Sequence, residues 1–567
     1  MKSSRSRKIF PDSWSISYLL RDPLGISITT SNSSTASSTS SVPRPGAGAV
    51  SAGLGRGPGP RCRAQSPAQW PARAKAAGRN RVGRDARHAR GAGVWTHRLP
   101  TAAVLLLLVA AAVVGQLDVR IAGLSADPLT EPEAVAPPAG LSVPEWSAPP
   151  PVATAVPPRQ GGAVDPRRVE AALAAALEDK DLGKHVVAAV GSLSGQEGDW
   201  VWGGDAFTPA STTKVLTAVA ALEVLGPERR FATQVVTGAS RRELVLVGGG
   251  DPHLAGKPLT PEEEASAYPE RADVVTLARR TAKALGRTRR PVTLVYDASL
   301  FTGPSDNPAW RADYVPDDIV SPITALWVDE GADPDGYGRS DDPAATAAAD
   351  FARALAEAGV RVKGSPVPGV APAAAPVLAS VESAPLADIV ERVLDVSDNE
   401  GAELLAHHVG LAVAGEGSFE GGARGVLDTL QALGVETGDD VVYDGSGLSR
   451  RNRVSPSTLL GALRVAASPA HPELRPAVSG LPVAGFTGSL TYRFDEGAPE
   501  GRGMVRAKTG TLTGVHALAG VAVDRLGTPL VFVLAADRVR EGRGDEAQDA
   551  LDEIAADLVT CRCSTTG

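Results

Sequence analysis

Cysteine is scarce in this chain of 567 residues, which has only Cys62, Cys561 and Cys563. That count and spacing exclude a disulfide-stapled scaffold and a cysteine-ligated zinc site. We expect Cys561 and Cys563 to form an exposed pair in a polar tail, able to oxidise but without a catalytic role. Acidic residues outnumber basic ones, and the resulting net charge of −8 argues against a general nucleic-acid binder.

Lysine is rare as well, since only ten of the 57 basic residues are Lys and the rest are Arg. A desolvated lysine can lose its proton, whereas arginine stays charged at any working pH. Lys214 follows Ser211 by three residues in FTPASTTKVLTAVAALEVLG, where a helix begins. A lone Ser-x-x-Lys is more often a solvated helix lysine than a catalytic pair, so this pattern needs support from elsewhere in the chain.

The first 164 residues do not have the composition of a folded domain. Residues 1–98 are rich in Ser, Thr, Arg, Gly and Pro, and we expect them to be disordered and cytoplasmic. The apolar run at 99–117 has arginines before it, which predicts a signal anchor or the core of a signal peptide. The rest of the chain would then lie outside the cytoplasm, held at the cell membrane or secreted after cleavage. Residues 118–164 are a Pro-rich linker.

Hydrophobic patterns predict a globular part that begins near Asp165 with a helix and a β-hairpin (KHVVAAVGSLSG and DWVWGG). Thr208 is expected to cap a helix that starts at Pro209 and is buried along one side. VRAKTGTLTGVHALAGVAVDRLGTPLVFVLAAD predicts an antiparallel meander, followed by a last helix. The predicted divisions are two parts of one domain (165–230 and 382–558), an inserted lobe (231–381) and a flexible tail (559–567).

Three short motifs occur in a fixed order along this globular part. Ser211-x-x-Lys214 is followed by Ser397-Asp398-Asn399 and then by Lys508-Thr509-Gly510. Each motif alone is weak evidence. Their order is specific, because each lies in its expected context: the first turn of a helix, a loop that enters a helix, and a strand of the terminal sheet.

In these motifs the chain resembles the D-alanyl-D-alanine carboxypeptidase/endopeptidases, the class C low-molecular-mass penicillin-binding proteins of peptidase family S13. Further similar stretches are GGGDP, DASLFTGP, SPITALWVD, DGSGLSRRNRVSP and LPVAGFTGSL, and the resemblance covers about residues 165–537. It implies an α+β, penicillin-binding or serine β-lactamase-like fold: an antiparallel sheet flanked by helices, a helical subdomain, and a large lobe inserted between the first two motifs. The implied enzyme is a serine-type D-Ala-D-Ala carboxypeptidase of peptidoglycan stem peptides that binds β-lactams and uses no cofactor or metal. Endopeptidase action on cross-links and the oligomeric state stay open.

The resemblance also implies how the reaction would be catalysed. A serine hydroxyl is a weak nucleophile and needs an adjacent base. Ser211 would be the nucleophile and Lys214 its base, with a pKa depressed by burial and by the charge of Lys508. Backbone N–H groups of Ser211 and Thr511 would hold the oxyanion.

The remaining motif residues are implied to bind the substrate and move a proton. Ser397 would relay a proton to the departing amine, and Asn399 would hydrogen-bond the substrate's peptide. Lys508 and Thr509 would hold the terminal carboxylate, while Gly510 would let the substrate lie against the strand.

Two other functions are compatible with this fold. A class A β-lactamase has a much shorter interval between the first two motifs, and its E-x-x-x-N loop is not matched at Glu436. Class C β-lactamases have Tyr at the second motif. A catalytically silent penicillin-binding or peptidoglycan-binding scaffold is the other alternative, and the intact motifs argue against it.

Several neighbouring polar residues are given structural interpretations. His407, His408 and His516 could act as bases, but Lys214 already supplies one. Asp398 is expected to cap a helix. Asp251 and His253 suggest a turn, with a metal site as the alternative, and Asp444 and Ser446 suggest a turn near the site. Such readings follow from the residue types alone.

Overall fold

The computed structural model describes residues 162–195, 198–287, 290–334, 336–495 and 497–565. The predicted disordered segment at 1–98, the apolar run at 99–117 and nearly all of the Pro-rich linker lie outside the described residues. Within the described ranges, no helix combines the length and the apolar character needed to cross a bilayer.

Helices and strands alternate through the described part of the chain. The α-helices are α1 (Pro166–Leu177), α2 (Thr213–Leu225), α3 (Pro261–Glu264), α4 (Val274–Leu285), α5 (Pro343–Glu357), α6 (Leu386–Asp395), α7 (Asn399–Ala414), α8 (Phe419–Ala432), α9 (Pro456–Ala467), α10 (Pro476–Ser479) and α11 (Gly544–Thr560). The strands are β1 (Val186–Ser192), β2 (Trp200–Trp202), β3 (Ala232–Thr237), β4 (Glu243–Val247), β5 (Thr293–Asp297), β6 (Val367–Pro368), β7 (Val377–Glu382), β8 (Val505–Leu512), β9 (Val515–Val523) and β10 (Pro529–Ala536).

The first sheet is antiparallel and has the order β2-β1-β10-β9-β8. The predicted hairpin and the predicted meander are both confirmed. Alternate residues of one strand enter two different cores, because side chains of a strand point to opposite faces. Val187 and Ala189 pack with α2 and α6–α9, whereas Ala188 and Val190 pack with α1 and α11. Helices therefore cover both faces of the sheet, which explains its nearly continuous apolar strands.

A second sheet is built from the strands between the first two motifs, in the order β6-β5-β4-β3-β7. β3 is antiparallel to β4 and β7, while β4, β5 and β6 run parallel to one another. Helices α4 and α5 pack against this sheet, and the resulting apolar cluster includes Leu246, Leu294 and Phe351. The interval between the first two motifs thus contains a sheet with its own core, as expected of an inserted lobe.

The last described residues, up to 565, differ from the predicted flexible, exposed tail. α11 continues to Thr560, and Cys563 and Ser564 are fully buried. Ser564 forms a bridge with Val164, which brings the two ends of the described part together. Cys561 and Cys563 are joined as a disulfide. The expected exposure of this pair is wrong, because Cys563 is buried and Cys561 is half-buried.

Candidate active site

Ser211 is the middle residue of a single 3₁₀ turn, Ala210–Thr212, that leads into α2. Ala210 has a φ of 47°, in the left-handed region that non-glycine residues rarely adopt. A Cβ added to Gly447 would lie 1.8 Å from the carbonyl oxygen of Ala210. The DGSG loop can contact this turn only because residue 447 is glycine, so the loop helps to define the backbone that presents Ser211.

The start of α2 differs from the prediction. Thr208 does not cap the helix; its hydroxyl accepts a hydrogen bond from Arg453 (2.9 Å), and no side chain caps Thr213–Leu225. Burial along one side is also wrong, because every residue from Thr213 to Leu222 is buried. α6, α7, α8 and α9 all contact this helix, so other helices surround the element that begins just after Ser211.

Lys214 lies one helical turn beyond Ser211, and its side chain is completely buried. Its Nζ donates hydrogen bonds to Ser211 Oγ (3.0 Å), to Asn399 Oδ1 (2.8 Å) and to the carbonyl oxygen of Ser446 (2.9 Å). An ammonium has three donors, and each has an acceptor here. The first two motifs and the DGSG loop therefore meet at one nitrogen atom.

Burial lowers the pKa of Lys214 from its ordinary value to about 8, because a charged amine is disfavoured away from water. The carboxylates of Asp398, Glu403, Asp444 and Glu400 act in the opposite direction. Lys214 thus has a neutral form that is accessible near neutral pH, which arginine would not provide.

The Ser397-Asp398-Asn399 motif is the entry to α7, as predicted. Asp398 caps the helix by accepting from the backbone N–H of Gly401 (2.8 Å), and Ser397 has a left-handed φ of 63°. Asn399 accepts from Lys214 and donates to the carbonyl oxygen of Ile319 (2.9 Å). Its amide is therefore fixed in one orientation, because each end has its own partner.

The inserted lobe contributes a buried contact to this motif. His253 Nε2 lies 2.9 Å from Asp398 Oδ2, and both side chains are only 3% exposed. This contact was not predicted, because 145 residues separate the two positions. Together with Glu330, this pair forms a cluster of three side chains whose ligand atoms all lie within 4.8 Å of one another, a spacing that could hold a cation. However, Glu330 also lies 3.2 Å from a guanidinium nitrogen of Arg392, so a protein cation already occupies this neighbourhood.

The third motif lies on β8, at the edge of the first sheet. Lys508 is completely buried and donates to the carbonyl oxygen of Thr509 (3.1 Å). Burial lowers its pKa well below the ordinary value, and the charge of Lys214 adds to that effect. Thr509 Oγ1 lies 2.8 Å from Ser489 Oγ, whereas the side chain of Thr511 is exposed.

Gly510 brings β8 against the turn that holds Ser211. A Cβ at this position would lie 2.6 Å from the carbonyl oxygen of Pro209 and 3.3 Å from the Cβ of Ala210. Any larger residue would push the strand away from the turn. The glycine therefore has a packing role inside the protein in addition to the role toward substrate that the resemblance implies.

A family model described as the D-Ala-D-Ala carboxypeptidase 3 (S13) family matches residues 169–334 and 336–558. The chain belongs to this family. The match includes the inserted lobe and all three motifs of the S13 carboxypeptidase. It makes the protein a serine-type D-Ala-D-Ala carboxypeptidase, a hydrolase, and disfavours the β-lactamase and silent-scaffold alternatives.

Relatives that are named carboxypeptidases are similar to this S13 carboxypeptidase over most of their length. A carboxypeptidase from Mycobacterium tuberculosis is 36% identical over 407 residues, which cover 70% of this chain and 85% of that protein. A D-alanyl-D-alanine carboxypeptidase from an Actinomadura species is 32% identical over 416 residues, which cover 61% of this chain and 77% of that protein.

The fold has a counterpart among crystal structures. Penicillin-binding protein 4 from Haemophilus influenzae superposes with a TM-score of 0.56 at 22% identity, covering 69% of this chain and 97% of that one. This likeness confirms the predicted α+β, penicillin-binding fold of the S13 carboxypeptidase.

Two of the three histidines that were considered as bases in this S13 carboxypeptidase contact backbone carbonyl groups. His407 Nδ1 lies 2.8 Å from the carbonyl oxygen of Glu403, and His408 Nε2 lies 3.0 Å from that of Gly250. Burial lowers the pKa of both to about 4, so both are neutral at physiological pH. The pKa of His516 is also lowered by burial.

The buried carboxylate of Glu403 was missed by the sequence analysis. It accepts from the backbone N–H groups of Gly445 (3.1 Å) and Ser446 (2.8 Å), and thereby holds the loop whose carbonyl bonds to Lys214. Burial raises its pKa to about 8, and the charge of Asp444 adds to this. Helical spacing offered a signal, since Glu403 lies four residues after Asn399 on one side of α7.

Proposed function

We propose that this S13 carboxypeptidase removes the terminal D-alanine from peptidoglycan stem peptides through an acyl-enzyme on Ser211. The neutral amine of Lys214 takes the hydroxyl proton as Ser211 Oγ attacks the carbonyl carbon between the two D-alanines. Backbone N–H groups of Ser211 and Thr511 hold the oxyanion, and each such donor typically contributes about 3 kcal/mol. The C–N bond breaks as the leaving amine takes up a proton through Ser397, and water then hydrolyses the ester.

The substrate would lie along β8, in keeping with the position of this strand at the sheet edge. An extended peptide can add to such an edge as a further strand. Asn399 would bond the peptide, while Lys508 and Thr509 would hold the terminal carboxylate. A bound carboxylate would favour the charged form of Lys508 and so offset the burial that lowers its pKa. β-Lactams would acylate the same serine.

The observation that carries this proposal is the 3.0 Å contact between Lys214 Nζ and Ser211 Oγ in a buried setting. Only the neutral amine can accept a proton, and the pKa of about 8 means that this form becomes scarcer as the pH falls. We therefore expect the rate constant for acylation by penicillin to rise about tenfold per pH unit below pH ~7 and to level off above pH ~8. Stopped-flow measurement with a fluorescent penicillin checks this.

The control for the pH profile is Lys214→Ala, which should react slowly and lose the rising limb. A wild-type rate constant that stays flat between about pH 6 and pH 9 would contradict the role given to Lys214, since a base with a pKa of about 8 must titrate within that range.

We also propose that residues 99–117 hold the enzyme at the membrane, with the catalytic part on the extracytoplasmic side. The uncharged apolar run and the arginines before it support this. The full chain should sediment with membranes and resist extraction by high salt, whereas a protein that begins at Gly162 should stay in the soluble fraction and still react with penicillin. A full-length, uncleaved chain found in the soluble fraction would refute the anchor.

A further inference from the structure

The inserted lobe has a cluster of cations at one end of its sheet. β4, β5 and β6 are parallel neighbours, so their N-terminal ends lie at the same edge. Backbone hydrogen bonds fix the approach to these strands: Thr293 N–H donates to the carbonyl oxygen of Arg242 (2.8 Å), and Lys363 N–H donates to that of Val292 (2.8 Å). Three separate segments therefore bring basic residues to one place.

These segments enclose an open pocket of about 500 Å³. Its lining residues are Ser240, Arg242, Arg290, Pro291, Thr293 and Lys363. Three of these six are cations, and none of the six is acidic. The side chains of all three cations are exposed (Arg242, Arg290 and Lys363). The nearby carboxylate of Glu243 accepts a hydrogen bond from the backbone N–H of Ala239 (2.8 Å).

The pocket lies at the end of the lobe opposite to the catalytic motifs. The C-terminal end of β4 leads to Gly250, whose carbonyl contacts His408, and to His253, which contacts Asp398. The pocket lies beyond the N-terminal end of the same strand, roughly 15 Å away for a strand of this length. Its cations therefore lie too far from Ser211 to take part in catalysis. Because the whole chain has a net charge of −8, the clustering of cations at this pocket needs another explanation.

We propose that this pocket binds a phosphodiester-bearing polymer and so docks the enzyme on a polyanion. A guanidinium group can donate two parallel hydrogen bonds to the oxygens of one phosphate. Arg242 and Arg290 supply two such guanidinium groups at this pocket. Lys363 adds a third positive charge at the same opening. The pocket is open, so its exposed rim leaves room for the polymer to continue on either side.

A polymer fits the pocket better than a membrane surface does. Proteins that lie on a bilayer insert large apolar side chains beside their cations. Among the described residues that line this pocket, Pro291 is the only apolar one. The attraction is electrostatic and exposed, so binding should weaken as salt screens the charges.

Fluorescence polarisation of the protein from Gly162 onward, with labelled inorganic polyphosphate as the probe, tests the proposal; the arginine-rich residues 1–98 are left out because they would bind a polyanion on their own. We expect saturable binding by the wild-type protein at low salt, and at least tenfold weaker binding by Arg242→Glu/Arg290→Glu/Lys363→Glu. The matched control is Arg167→Glu/Arg353→Glu/Arg525→Glu, which makes the same change in net charge at exposed arginines elsewhere and should bind within about twofold of wild type. Both triple variants should react with penicillin at the wild-type rate, which shows that they are folded.

Three results would overturn the proposal. The first is absence of polyphosphate binding by the wild-type protein, and the second is equal loss of binding in the two triple variants, which would reflect net charge alone. The third is a requirement for the three pocket cations in binding to phosphatidylglycerol vesicles but not to polyphosphate, which would make the pocket a membrane contact.

Discussion

Replacing Ser211 with alanine should lower the rate of D-alanine release by about 10,000-fold or more, because removal of a nucleophile leaves only binding and oxyanion stabilisation. Penicillin labelling should be lost as well. The fold should persist, since Ser211 is one of three acceptors for Lys214 and the other two remain. Release of D-alanine from a synthetic pentapeptide, measured beside thermal unfolding, checks both expectations.

A matched control for this variant is Ser457→Ala, which removes a hydroxyl from the exposed first turn of α9. It should keep wild-type activity. If Ser211→Ala still releases D-alanine at more than a trace rate, another residue is the nucleophile and the proposed mechanism is wrong.

Lys214→Arg should be nearly as damaging as Lys214→Ala, with a loss of about 100- to 10,000-fold in the rate of acylation. Arginine retains its proton, so it cannot take one from Ser211. Its larger planar group must also fit where the lysine side chain has no exposed surface. The rate constant for reaction with a fluorescent penicillin, compared among the variants at about pH 8, measures this loss.

Misfolding would also abolish the activity of Lys214→Arg, so a second variant is needed. Lys214→Met keeps the length of the side chain without a base, and we expect it to be folded and equally slow. The conservative exchange Lys180→Arg, at a position whose side chain is 82% exposed, should have no effect. A Lys214→Arg variant with near wild-type acylation would contradict the role of a neutral amine.

The sequence predicted the parts of this fold that depend on local pattern. The β1–β2 hairpin, the β8–β9–β10 meander and the helices α1 and α11 follow from runs of apolar residues and the turns between them. The three motifs also carried the resemblance to the S13 family, and Ser211, Lys214 and Asn399 do meet. Short motifs are informative because the chemistry requires particular atoms at a fixed spacing.

Features that depend on distant contacts could not be predicted. The spacing of Val215, Leu216 and Val219 suggested one buried side of α2, but Thr213 and Thr217 are buried too because helices pack around it. The contact between His253 and Asp398 joins residues far apart in the chain. The tail was expected to be flexible from its polar composition, yet its pairing with the segment at Val164 buries it.

The account depends on Ser211 as the atom that forms the covalent bond, and the most direct test is mass spectrometry of the wild-type protein after reaction with penicillin. One adduct with the mass of the intact antibiotic should form, and peptide mapping should place it on the fragment that contains Ser211. An adduct mapped to any other residue, or a protein that remains unmodified while it still releases D-alanine, would contradict the account.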